Sequence, residues 1–128
     1  MPAVPKGVDE VPPSVLVVVL DTVRADRTAL GGQPKGRTPQ LAGIAAAGTT
    51  WTQVTAPGPW TWPSHASLFT GLPPWTHGAR TRSDAPIDDE RRVAHVWPMR
   101  TDIPTLAGEL SKAGYHTESI AQNRWLAP

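Results

Sequence analysis

Cysteine is absent from the 128 residues. That excludes disulfides, zinc–thiolate centres and cysteine nucleophiles, and it leaves the redox compartment unread. Long apolar runs are missing too. The strongest, Val15–Leu20, is far too short to span a bilayer. The opening MPAVPKGVDEVPP has no apolar core and no small-residue cleavage site of the kind a signal peptide carries. As written the chain is therefore expected to be cytoplasmic; a start lying further upstream would leave a periplasmic or secreted location open. Nor is there an excess of charge. A net charge of +1, with basic spots such as Arg24–Arg27 and Arg80–Arg82 interrupted by acidic residues, argues against nucleic acid or a membrane surface as partner.

What is plentiful is proline, at 15 residues, and tryptophan, at 6. The prolines cluster in the N-terminal arm, at Pro57–Pro63 and at Pro73–Pro74, with tryptophans interleaved. This pattern reads as loops held in fixed shapes rather than as linkers. With 39% apolar and 18% charged residues the composition is globular. The expected organisation is a flexible arm over residues 1–13 followed by one folded unit over 14–128.

Val15–Leu20 is a continuous β-branched run, the pattern of a strand buried on both faces, so a parallel or mixed sheet is expected with Asp21 at the strand's carboxyl end. Thr38-Pro39 followed by QLAGIAAAG predicts a helix capped by Thr38 and closed by Gly48 in a left-handed turn. Thr49–Val54 alternates like a short strand. Pro63–Thr70 predicts a second helix stopped by Gly71, Leu72–Asp102 a long exposed loop, Pro104–Ala113 a third helix stopped by Gly114, and Tyr115–Ala121 a last strand. This order points to an α/β layered fold. A strand apolar on both faces needs helices on both sides. The few present can hardly cover it, so an unfinished core and an exposed apolar patch are expected.

Three polar features converge on one prospective cleft: Asp21 after the first strand, Thr61 and its neighbours before the second helix, and Asn123 after the last strand. Their chemistry suits ester transfer. A hydroxyl is a poor nucleophile until its proton is removed or stabilised, which a divalent metal achieves. A carboxylate supplies hard oxygen to such a metal. A helix N-terminus favours an anion.

Competing patterns fail. Val23 stands where an aspartyl-phosphatase D-x-D would need its second acid, and neither G-x-G-x-x-G nor G-x-S-x-G occurs. His77, beside Gly78, reads as structural, and Asp88–Glu90 as a solvated face.

The strings VLVVVLDTVRAD, RTPQLAGIAAAGTTWTQV, APGPWTWPSHASLFTGLPPWTHGA and DIPTLAGELSKAGYHTESIAQNRWL, in this order, resemble the N-terminal half of a sulfatase, a family of the alkaline phosphatase superfamily. The resemblance covers roughly residues 13 to 126. It implies the N-terminal part of a three-layer α/β/α sandwich on a mixed, mostly parallel sheet, and a metal-dependent hydrolase of sulfate or phosphate esters. Asp21 matches the family's first metal-binding aspartate. Thr61 matches the nucleophile of C/S-x-P-S-R, where it would also contact the metal, with Pro63 and Ser64 in register. His65 takes the arginine's place among the catalytic residues. Asn123 lies near the position where many sulfatases carry an active-site lysine, which makes it a candidate substrate contact.

The departures are informative. Threonine offers no route to the formylglycine that sulfatases make from cysteine or serine, so phosphodiesterase-like chemistry becomes a serious reading. Thr22 stands where a second metal-binding aspartate is common, and Ala42 replaces an acidic helix residue. The family's later Asp, His and Asn ligands have no counterpart within the 128 residues. Calcium, zinc, manganese and magnesium are not distinguished, and the substrate class is a small-molecule, glycan or lipid-type ester. The alternative is a truncated or degenerate sulfatase-like fragment without catalytic activity.

Overall fold

The computed structural model describes residues 12–32, 38–82, 96–123 and 126. Most of the expected N-terminal arm lies outside these residues, as does the acidic stretch Asp88–Glu90. Two 3-10 turns, Ala25–Arg27 and Ala29–Gly31, follow the apolar run. Then come α1 (Pro39–Ala47), α2 (Thr61–Thr70), α3 (Pro74–His77), β1 (Arg80–Thr81), β2 (Val96–Trp97) and α4 (Leu106–Lys112).

The helices form where proline and glycine punctuation allows, with several differences from expectation. Pro39 opens α1 at a position that needs no N–H donor. Thr38 does not cap it, however. Its hydroxyl instead accepts the Ala29 N–H at 2.8 Å, meeting a donor that the second 3-10 turn leaves unpaired. Gly48 ends α1 in an extended rather than a left-handed conformation (φ −133°).

Helix α2 begins at Thr61, two residues before the proline expected to open it. Proline is tolerated anywhere in a first turn, so Pro63 does not fix the start. Gly71 does close α2 in a left-handed turn (φ 70°). Helix α4 starts at Leu106, with the Thr105 hydroxyl accepting the Gly108 N–H. It ends in a Schellman pair, Gly114 N–H to Ser111 O and Tyr115 N–H to Leu110 O, both 3.0 Å.

The sheet expectation is the main departure. Among the described residues, strand pairing is confined to β1 and β2, antiparallel, with Arg80 opposite Trp97 and Thr81 opposite Val96. Val15–Leu20, Thr49–Val54 and Tyr115–Ala121 are not assigned to strands. A doubly buried strand exists only with neighbours on both edges and helices on both faces. Without them, Val15–Leu20 lies open, with Leu16 86% exposed. The segment Leu72–Asp102, expected as one loop, contains α3 and the β1–β2 ribbon.

Burial gathers around α2 instead. Thr61, Pro63, His65, Ala66 and Ser67 are buried on it, and His77 and Ala79 pack beside them with no exposed surface. Helix α2 packs against α3 and also touches α4. No helix among the described residues is long and apolar enough to cross a membrane.

Candidate active site

The loop entering α2 is held against its first turn. A side chain at Gly58 would place its Cβ 2.8 Å from the Pro63 ring, so only glycine lets the loop lie so close. Trp60 is the residue before the helix and makes no side-chain cap. Thr61 is therefore the first helical residue, at the end where backbone N–H groups lack intrahelical partners.

Its hydroxyl donates to Asp21 Oδ2 at 3.0 Å. Asn123 Nδ2 donates to the same oxygen at 2.8 Å and stands 3.5 Å from Thr61 Oγ1. The structure thus brings together the three residues that sequence reasoning had grouped, although Asp21 and Asn123 are 102 residues apart in the chain. Thr61 is buried, and Asp21 and Asn123 are half-buried. Hydrogen bonds to a carboxylate are shorter and stronger than neutral ones, so Asp21 is the natural centre of the cluster. Its other oxygen, Oδ1, receives no hydrogen bond among the described residues.

The backbone beside Asp21 is strained. Thr22 has φ 60°, a left-handed conformation that costs a β-branched residue about 1–2 kcal/mol. Its hydroxyl donates to the Asp21 carbonyl at 2.7 Å, which partly offsets that cost. No sequence pattern signals this turn, since threonine rarely adopts it.

His65 is the fourth grouped residue, and its contact is with the backbone. Its Nδ1 donates to the Thr61 carbonyl at 2.9 Å, one turn back along α2. The ring is buried and leans towards Phe69. This geometry is that of a histidine satisfied by its own helix, and it also holds the residue that carries the hydroxyl.

Trp62 directly follows Thr61. Its indole N–H reaches the Trp97 carbonyl at 3.1 Å, tying α2 to β2, and Arg82 lies 4.5 Å over the Trp97 ring. An open groove of about 580 Å³ runs along α2 between Val54–Pro57 and Gly71–Pro73, but neither Asp21, Thr61 nor Asn123 lines it.

The donor set is hard and oxygen-rich, namely a carboxylate and a hydroxyl, with an amide alongside. Such a set suits one side of a divalent cation site. No cluster of three or more His, Cys, Asp or Glu side chains is found among the described residues.

Comparison with known proteins gives the chain's family. The model of the sulfatase family matches residues 13–125. An arylsulfatase from Clostridium perfringens (strain 13 / Type A) is 29% identical over 110 residues, which is 86% of this chain and 20% of that protein. The chain thus spans about a fifth of that relative's length. No solved structure matches it.

Proposed function

The chain belongs to the sulfatase family, and from that premise we propose that it contributes the nucleophile side of a metal-dependent site hydrolysing sulfate or phosphate esters. Family membership carries an alkaline-phosphatase-like α/β fold. In our reading, residues 14–128 form the N-terminal portion of its three-layer, mostly parallel form, with Val15–Leu20 as a central strand. The apolar surface that this run leaves open supports the assignment.

The observation that carries the functional reading is the hydrogen bond from Thr61 Oγ1 to Asp21 Oδ2. A bound divalent cation supplies charge that lowers the pKa of an attacking oxygen and neutralises the ester's anionic oxygens. Asp21, through Oδ1, and Thr61, through Oγ1, are the residues that would hold it. The Thr61 hydroxyl proton already points at Asp21 Oδ2, which is placed to take it as the oxygen attacks. A bond then forms from Thr61 Oγ1 to phosphorus or sulfur as the bond to the leaving oxygen breaks; the departing alcohol takes a proton from water, and Asp21 returns its own to solvent. Water later cleaves the Thr61 ester and restores the hydroxyl.

Asn123 Nδ2 stands close enough to Thr61 Oγ1 to donate to an ester oxygen there. His65 fixes the first turn through the Thr61 carbonyl, and the N-terminal amides of α2 favour the anionic group. Because threonine attacks directly, phosphate esters are the preferred substrates. Their leaving groups, small-molecule, glycan or lipid, are read only as alcohols.

A second reading, a truncated or degenerate sulfatase-like chain without catalytic activity, is favoured by one observation: no cluster of three or more His, Cys, Asp or Glu side chains occurs among the described residues. Metal titration separates the two. Calorimetry with calcium, magnesium, manganese and zinc is expected to show saturable binding of at least one cation, lost in Asp21→Asn. Binding that is absent from the native protein, or unchanged in Asp21→Asn, overturns the metal-site assignment.

A further inference from the structure

Helix α2 carries the proposed nucleophile, yet Thr61 holds only its N-terminal end. The other anchor is a histidine outside the cluster. His77 is fully buried, and its Nε2 lies 2.9 Å from Ser67 Oγ on α2. Its Nδ1 accepts the Ala79 N–H at 3.1 Å. An Nδ1 that accepts cannot carry the ring proton, so the neutral ring is protonated at Nε2 and donates to Ser67. The backbone of the same residue accepts the Arg100 N–H at 2.9 Å. His77 therefore joins α2, the start of β1 and the segment leaving β2.

The ribbon formed by β1 and β2 returns to α2 through the Trp97 carbonyl, which accepts from Trp62, the neighbour of Thr61. One closed circuit thus runs from His77 along the ribbon to the first turn of α2 and back along the helix to Ser67.

From this circuit we propose that His77 is a positioning residue for Thr61. Its neutral ring holds α2 and the ribbon in the one arrangement that sets the Thr61 hydroxyl against Asp21. The proposal rests on the reading of Thr61 as nucleophile for its functional meaning, but not for its geometry.

The device works only while the ring is uncharged. A second proton would go to Nδ1, placing one N–H against the Ala79 N–H. Burial lowers the His77 pKa below its ordinary 6.5, with the Pro63 carbonyl pulling the other way. The charged or titratable groups on the surrounding segments are His65 on α2, Arg80 and Arg82 on or beside β1, and Arg100 after β2, which is paired with Asp102. Because the folded pKa is lowered, the stabilisation is complete above the unfolded value near 6.5. It is lost progressively as pH falls from there through the folded pKa.

The test compares His77→Phe, His77→Gln and Ser67→Ala in the full chain. NMR of the native protein should show the His77 ring protonated at Nε2 only, and exchange of the Asn123 side-chain amide should be slowed by its bond to Asp21. Phenylalanine fills the space without hydrogen bonds, and exchange at Asn123 should speed up about tenfold, the equivalent of one typical hydrogen bond. Glutamine restores a donor towards Ser67, and protection should largely return. It should also remove the share of the acid-side loss of protection that His77 causes.

If His77→Phe does not fold, Ser67→Ala, which deletes one hydroxyl, should speed exchange in the same direction. Unchanged Asn123 protection in whichever of these two variants folds overturns the proposal. So does equal disturbance by Phe and Gln, which would mean that ring volume alone matters. Where hydrolysis is measurable, His77→Phe should lower kcat with KM unchanged. Because the exchange readout needs no turnover, failure of the hydrolase reading leaves the positioning proposal separately decided.

Discussion

Helix α2 and the run Val15–Leu20 meet at Asp21, yet they are built on opposite principles. Among the described residues, helix α2 holds most of the buried polar groups. Each is paired: Thr61 with Asp21, His65 with the Thr61 carbonyl, and Ser67 with His77. Among the described residues no buried side-chain polar atom lacks a partner. The run is purely apolar, and every residue in it is between 42% and 86% exposed. At about 1.5–3 kcal/mol per fully buried side chain, covering such half-exposed residues is worth on the order of 5–10 kcal/mol. That rivals the net stability of a whole domain, about 5–15 kcal/mol. Position in the site is thus set by hydrogen bonds on one side, while the apolar run that leads into Asp21 leaves its largest stabilising term unused.

Substitutions in each region sharpen this contrast. The largest effect on stability is expected at the junction. Asp21→Ala deprives the Thr61 hydroxyl and the Asn123 amide of their shared acceptor, and should cost about 2–3 kcal/mol in urea unfolding. Next comes the small core. Ala79 has no exposed surface, and Ala79→Val should cost about 1–3 kcal/mol through overpacking. At the strained turn, Thr22→Asn should stabilise by up to about 1 kcal/mol, since asparagine tolerates the left-handed region. The smallest effect is expected in the run. Leu16→Gln should change stability by less than about 0.5 kcal/mol despite removing a leucine, while raising solubility in a precipitation assay. A large loss at Leu16 would break the contrast by showing that the run is already packed.

The local punctuation of the fold was legible in the sequence. Pro39, Gly71 and Gly114 act at helix ends as their chemistry dictates, because each effect needs only neighbouring residues, whereas Thr105, expected inside the third helix, caps it instead. The grouping of Asp21, Thr61 and Asn123 was legible too, through the order and spacing of motifs. What could not be read depends on distant partners. Thr38 gave its hydroxyl to Ala29 rather than to its own helix. Val15–Leu20 has the composition of an interior strand, but a strand is made by its neighbours, and composition does not supply them. The β1–β2 pair was hidden because two-residue strands carry no periodicity. His77 read as structural from its WTHGA context. Its tautomer and its grip on Ser67 emerged only once Ala79 was seen to donate to its Nδ1.

The central claim is that the oxygen held by Asp21 is the one that attacks. Turnover of an aryl phosphate and an aryl sulfate, each with the divalent cations, should be compared for the native protein, Thr61→Ser and Thr61→Ala. The account predicts faster turnover of phosphate than of sulfate and partial activity in Thr61→Ser. In Thr61→Ala it predicts a loss of several powers of ten, each about 1.4 kcal/mol of barrier. Near-native turnover of both esters by Thr61→Ala would contradict it.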